Sequence, residues 1–218
     1  MASATNGRQI EVAPAILVKD RQSLMAAINA VRRFARAIHI DIMDNKFVPN
    51  STISPAELAG IPDGVDYEIH WMVENPHELI PQLSGSYLHI VHIETARDAW
   101  QDVEAAVKKT GGRLGLAVNP ETPVEAILPF IDRVERVLIM AVRPGFSGQR
   151  YIKEVEAKIA WLRERFPSLD IEVDGGIDFV TARSAVRAGA NILASASTIF
   201  RASDPAEAIA RLKNAGRE

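Results

Sequence analysis

Along this chain, stretches in which apolar and polar positions alternate every second residue are separated by stretches in which the apolar positions recur at helical spacing. The clearest alternation is Ile38-His39-Ile40-Asp41-Ile42-Met43. A period of two places the isoleucines on one face of a strand and His39, Asp41 and Met43 on the other. Further strands are predicted at 12–17, 67–73, 87–93, 114–118, 137–142, 171–174 and 191–194. Helical periods fill 20–35, 97–109, 151–166, 179–188 and 205–213. Four helix starts carry a polar cap, a proline and a glutamate in series: Ser54-Pro55-Ala56-Glu57, Asn75-Pro76-His77-Glu78, Thr122-Pro123-Val124-Glu125 and Asp204-Pro205-Ala206-Glu207. Proline suits the first helical position because its missing N–H would have no partner there, and the glutamate reaches back to the cap. Strands alternating with helices argue a parallel sheet with helical crossovers. Eight such units in one chain of this length predict a single-domain α/β fold, a (β/α)8 TIM barrel over 10–218, with a doubly wound open sheet as the competing architecture.

Composition narrows the partners. The chain has 218 residues, 47% hydrophobic and 24% charged, with a formal net charge of -3 and no cysteine. That charge gives no electrostatic reason to expect nucleic acid or an anionic membrane. The lack of cysteine removes disulfides and thiolate ligands, so a bound metal would use imidazoles and carboxylates. Residues 1–9 are small and polar and are expected to be frayed, and no apolar run is long enough to span a bilayer. A soluble, cytoplasmic protein is expected, assembled as a homo-oligomer.

Several polar residues occupy strand positions that should face a barrel interior. Glu68, His70 and Met72 share a face of one strand, and Glu172 and Asp174 share a face of another, just before Gly175-Gly176. Buried ionisable groups are costly unless they converge on one another, on a cation or on a substrate. His39, Asp41, His70 and Asp174 together make a plausible cage of two imidazoles and two carboxylates, a donor set suited to zinc, iron(II), manganese or cobalt. Plainer readings remain open. A strand histidine often serves only as a hydrogen-bonded structural residue, Asp174 before two glycines fits a turn, and Glu68 or Glu172 fit ion pairs at the barrel floor. Met43, Met72 and Met140 fit core packing, His89 and His92 are ambiguous, and Glu94 suits a helix cap. Three loops after successive strands are rich in small residues: Gly145-Phe146-Ser147-Gly148, Gly175-Gly176 and Ala196-Ser197. Backbone N–H groups in such loops, and a helix starting near Ser197, can cradle a phosphate.

Taken together, the segments Ala13-Pro14, His39-x-Asp41-x-Met43-Asp44, Phe47-Val48-Pro49-Asn50, His70-x-Met72-Val73, Asn119-Pro120, Met140 through Pro144-Gly145-Phe146-Ser147-Gly148-Gln149, Glu172-Val173-Asp174-Gly175-Gly176 and Ser195-Ala196-Ser197 resemble those of the ribulose-phosphate 3-epimerase family. The likeness runs nearly end to end. It implies a metal-dependent epimerase acting at C3 of a ketose phosphate, most simply D-ribulose 5-phosphate to D-xylulose 5-phosphate. It further implies one divalent ion on His39, Asp41, His70 and Asp174, with Asp41 and Asp174 as acid and base. By the same resemblance His70, Met43, Met72, Met140 and the three loops contact substrate. Inverting a carbon beside a ketone requires proton removal on one face and delivery on the other, hence two carboxylates. The ion would stabilise the enediolate as a Lewis acid.

The chain departs from the family pattern at Ala15, where a serine is usual, at Asn45-Lys46, where Gly-His is usual, and at Ser147 and Ala196, where glycine is usual. Ala15, Asn45 and Lys46 bear on the identity of the sugar, and D-allulose 6-phosphate is an alternative substrate. A phosphosugar lyase or decarboxylase on a similar barrel is a second reading. Such enzymes resemble one another in an Asp-x-Lys pair at a strand end, whereas this chain has Asp41-Ile42-Met43. A non-catalytic phosphometabolite binder is a third.

Overall fold

The computed structural model describes residues 9–216. Of the segment expected to fray, residues 1–8 lie outside the described residues, and Gln9 is exposed. Eight parallel strands close into a barrel in sequence order: β1 Glu11–Ile16, β2 Ala37–Met43, β3 Asp66–Met72, β4 Leu88–His92, β5 Arg113–Val118, β6 Arg136–Met140, β7 Asp170–Asp174 and β8 Ile192–Ser195. The barrel closes by pairing of β1 with β8, Glu11 opposite Ile192 and Pro14 opposite Ser195. The doubly wound alternative is thereby excluded. The predicted strands all form, with ends displaced by a residue or so.

The helices are α1 Arg21–Val31, α2 Pro76–Leu79, α3 Ile93–Ala96, α4 Trp100–Thr110, α5 Glu156–Arg165, α6 Thr181–Ala188, α7 Ser197–Phe200 and α8 Pro205–Lys213. Tighter 3-10 turns stand at Pro55–Leu58 and Val124–Arg133. The proline-led starts differ in detail. Asp204 caps α8 by accepting from the N–H groups of Ala206 and Glu207, and Glu57 accepts from the Ser54 N–H at 2.7 Å. Asn75 makes no side-chain cap bond. At 122–125 the helical turn begins at Val124, after Pro123, and the Thr122 hydroxyl donates to Glu94.

Two apolar layers result. The outward faces of the strands pack under the helices, as Ile38, Ile40 and Ile42 do with Leu24, Ile28 and Val31. Inside the barrel a smaller cluster, Leu88, Ile90, Ala117, Leu138 and Met140, fills one side. The other side of the interior is polar. His39, Asp41, Glu68, His70, His92 and Glu172 are all buried, and the register sets His39 beside Glu68, Asp41 beside His70 and Met43 beside Met72. Among the described residues no helix is long and apolar enough to cross a membrane.

Candidate active site

The polar column inside the barrel runs from floor to mouth. At the floor Arg136, the first residue of β6, reaches across to Glu172 at 3.0 Å and to Glu68. Both carboxylates also contact His39 Nδ1, Glu68 at 3.0 Å and Glu172 at 3.2 Å. The other nitrogen of His39, Nε2, lies 3.2 Å from Asp41 Oδ1, and His70 Nδ1 lies 3.0 Å from that same oxygen. Ligand atoms of His39, Asp41, His70 and Asp174 all lie within 4.8 Å of one another. Two imidazole nitrogens and two carboxylate oxygens at that separation fit a divalent first-row ion. His39 also groups with Glu68 and Glu172, but there the Arg136 guanidinium already pairs with both carboxylates.

The two aspartates differ in proton affinity. Burial favours the protonated form of Asp41, but hydrogen bonds from His39 and His70 outweigh it and hold the carboxyl well below the usual range. Burial, and then the charge of Asp41, push Asp174 up to about 7. His70 is driven down to about 4, chiefly by burial, so its ring is neutral near pH 7. A pair of carboxyl groups with opposed shifts in one cavity is the arrangement an acid and a base need.

Above these groups a pocket opens at the barrel mouth. Asp41 and Asp174 both line it, with Met43, Met72 and Met140 around them. The β6 loop contributes Gly145, Phe146, Ser147 and Gly148, and the β7 and β8 loops contribute Gly175, Gly176, Ala196 and Ser197. His39 and His70 are fully buried behind Asp41 and do not line this space. The Gly175-Gly176 pair has no substitute. Both glycines have positive φ, and a Cβ would sit 2.4 Å from Val142 Cγ2 at Gly175 and 2.7 Å from the Tyr151 nitrogen at Gly176.

Some parts of the site escaped the sequence reading. Arg136 stands one residue before the strand predicted at 137–142, yet it opens β6 and shares a face with Leu138 and Met140. Asn50 donates to the Gly145 carbonyl at 2.7 Å and ties the β2 loop to the β6 loop. Asp44 accepts from the backbone of Lys46, Phe47 and Glu74, joining the β2 and β3 loops. Lys46 is solvated and lies 3.8 Å from Glu74.

Comparison with known proteins agrees with the geometry. Residues 11–200 match the model of the ribulose-phosphate 3 epimerase family. A ribulose-phosphate 3-epimerase of Oryza sativa, described as the cytoplasmic isoform, is 40% identical over 93% of this chain and 92% of its own length. The ribulose-phosphate 3-epimerase of Bacillus subtilis is 36% identical over 94% of this chain and 98% of its own. Among solved structures, 3-hexulose-6-phosphate synthase from Salmonella typhimurium superposes with a TM-score of 0.70 at 14% identity, covering 95% of this chain and 99% of that one. Orotidine 5'-monophosphate decarboxylase from Sulfolobus solfataricus gives 0.62 at 15%, over 96% and 98%. At such identities these two share the barrel alone. With a family match over most of its length and epimerase relatives at this identity, the chain belongs to the ribulose-phosphate 3-epimerase family.

Proposed function

We propose that this protein is an isomerase that inverts C3 of a ketose phosphate, with D-ribulose 5-phosphate and D-xylulose 5-phosphate as its first substrate pair. The observation that carries the reading is the pair Asp41 and Asp174, two buried carboxyl groups lining one cavity with proton affinities shifted in opposite directions. Ionised Asp41 takes the C3 proton from one face of the substrate, and Asp174 delivers a proton to the other; the roles exchange in reverse. Met43, Met72 and Met140 keep the reacting face dry, which strengthens every charge interaction there. N–H groups of the β6, β7 and β8 loops hold the phosphate, in the region where barrels commonly bind it. His39, Asp41, His70 and Asp174 would hold one divalent ion, zinc first among the candidates, which when bound supplies Lewis-acid stabilisation of the enediolate. The rice relative's description as a cytoplasmic isoform supports the same compartment here.

The direct test is solvent deuterium incorporation at C3 of ribulose 5-phosphate by zinc-loaded protein. Exchange accompanied by xylulose 5-phosphate is the expected result, and no exchange would sink the substrate assignment. Replacing Asp41 or Asp174 by Asn should each cost at least about 10²–10⁴-fold in turnover, the usual worth of a proton transfer. An Asp174→Asn protein that turns over like wild type would remove Asp174 from the acid–base pair, and a wild-type protein that binds ribulose 5-phosphate without exchanging C3 would point instead to a binder.

A further inference from the structure

From His70 a second line of contacts leads away from the cage toward the barrel rim. His70 Nε2 lies 2.9 Å from His92 Nε2, and His92 Nδ1 lies 3.2 Å from Glu94 Oε2. The other oxygen of Glu94 accepts from the Asn119 N–H at 3.0 Å and from the Thr122 hydroxyl. His70 and His92 are fully buried with their rings stacked at 5.0 Å, and Phe47 packs on His92 with ring centroids 4.8 Å apart. No solvent route is needed to satisfy either ring.

A neutral imidazole donates from one nitrogen and accepts at the other, so a chain of two rings runs in one direction only. Without an ion both ends of the line are carboxylates, because His70 Nδ1 lies 3.0 Å from Asp41 Oδ1 and can donate to it. With an ion in the cage Nδ1 turns its lone pair to the ion instead, and only the far end is left to set the direction. Burial would raise the proton affinity of Glu94, but the hydrogen bonds from His92, Thr122 and Asn119 hold it down at about 2, so the carboxylate only accepts. His92 must then carry its proton on Nδ1 and present a lone pair at Nε2, which faces His70 Nε2 across 2.9 Å. A second lone pair there would repel, so His70 carries its proton on Nε2.

We propose that His92 and Glu94 are positioning residues that fix the His70 proton on Nε2 and so leave the Nδ1 lone pair directed at the cation cage. The inference rests on the reading of His70 as a metal ligand. Partners of this kind on the second nitrogen of a ligating histidine orient the ring and hold its tautomer, and losing them typically costs about 10–100-fold in metal affinity.

Glu94→Gln reverses the line without changing its shape. The glutamine carbonyl can keep the Asn119 and Thr122 bonds, which turns its NH2 toward His92 Nδ1. His92 must then accept there and carry its proton on Nε2. His70 either meets that proton with its own or moves its proton to Nδ1, into the cage. The test combines two measurements. In 15N–1H correlation spectra of zinc-loaded wild-type protein, His92 is expected to be protonated on Nδ1 and unprotonated on Nε2; the opposite tautomer overturns the inference. By chelator competition, Glu94→Gln should bind Zn2+ about 10–100-fold more weakly than wild type. Equal affinity overturns the inference while leaving the cage intact. A wild-type protein that binds no Zn2+ overturns the cage reading and this inference together. The wild-type spectrum decides the matter even if the variant does not fold.

Discussion

Asn45 shows what one residue can reveal about a departure from a family pattern. Among the described residues it is the only non-glycine in the left-handed region, with φ 57, where asparagine is the best tolerated substitute for glycine. The Gly-to-Asn change noted in the sequence therefore follows a backbone requirement and says little about the sugar. Asn45→Gly should leave stability nearly unchanged, whereas Asn45→Val should cost about 1–2 kcal/mol in urea unfolding. Ala196 needs no such allowance, since its φ is -102, and Ser147 is absent from the positive-φ residues. Both can present an N–H as glycine would. His89, left undecided by the sequence, is structural. Trp71 Nε1 donates to its Nδ1 at 3.1 Å, and its Nε2 faces the Thr110 hydroxyl. Burial lowers its pKa to about 4. A histidine depressed in the folded state contributes stability that is complete above its ordinary value near 6.5 and lost as pH falls toward 4. Unfolding free energies at pH 7 and pH 4.5 should thus fall more steeply for wild type than for His89→Gln.

At the scale of elements, the alternation of β2 was enough to assign each side chain to its face, because a period of two survives any neighbour. The same pattern in β3 and β7 pointed Glu68, His70, Glu172 and Asp174 inward, so the candidate cage of His39, Asp41, His70 and Asp174 and the floor carboxylates were legible without coordinates. What the sequence could not show is which inward residues meet across the barrel. Arg136 lies 68 residues from Glu68 in the chain, and only the register and closure of the sheet bring them together. The same limit hid the bond from the Thr122 hydroxyl to Glu94 on α3, 28 residues away in the chain. The floor cluster makes its own prediction. Arg136→Met takes from Glu68 and Glu172 the guanidinium that bridges them and leaves only the His39 imidazole beside them, and removing one partner of such a set typically costs about 3–5 kcal/mol. Adding Glu68→Gln and Glu172→Gln should recover much of that loss in thermal unfolding.

At the scale of the whole molecule, interior and exterior of the barrel do different work. The layer between strands and helices is almost wholly apolar, while half of the interior is given over to histidines and carboxylates. Stability therefore rests on the outer layer, which allows the polar column to be arranged for chemistry. The seam between β1 and β8 has a consequence for how the protein is made. The first strand has no permanent neighbour on one side until the last strand appears, some 180 residues later in the register Glu11 to Ile192. Long-range pairing of this kind slows folding, and unpaired strand edges invite association in the meantime. A nascent chain that has just passed residue 190 already carries every proposed ligand, yet its sheet is still open between β7 and β1. Such a fragment, released from the ribosome, should show no cooperative unfolding and retain no zinc on gel filtration, which would place uptake of the proposed metal at the last step of synthesis.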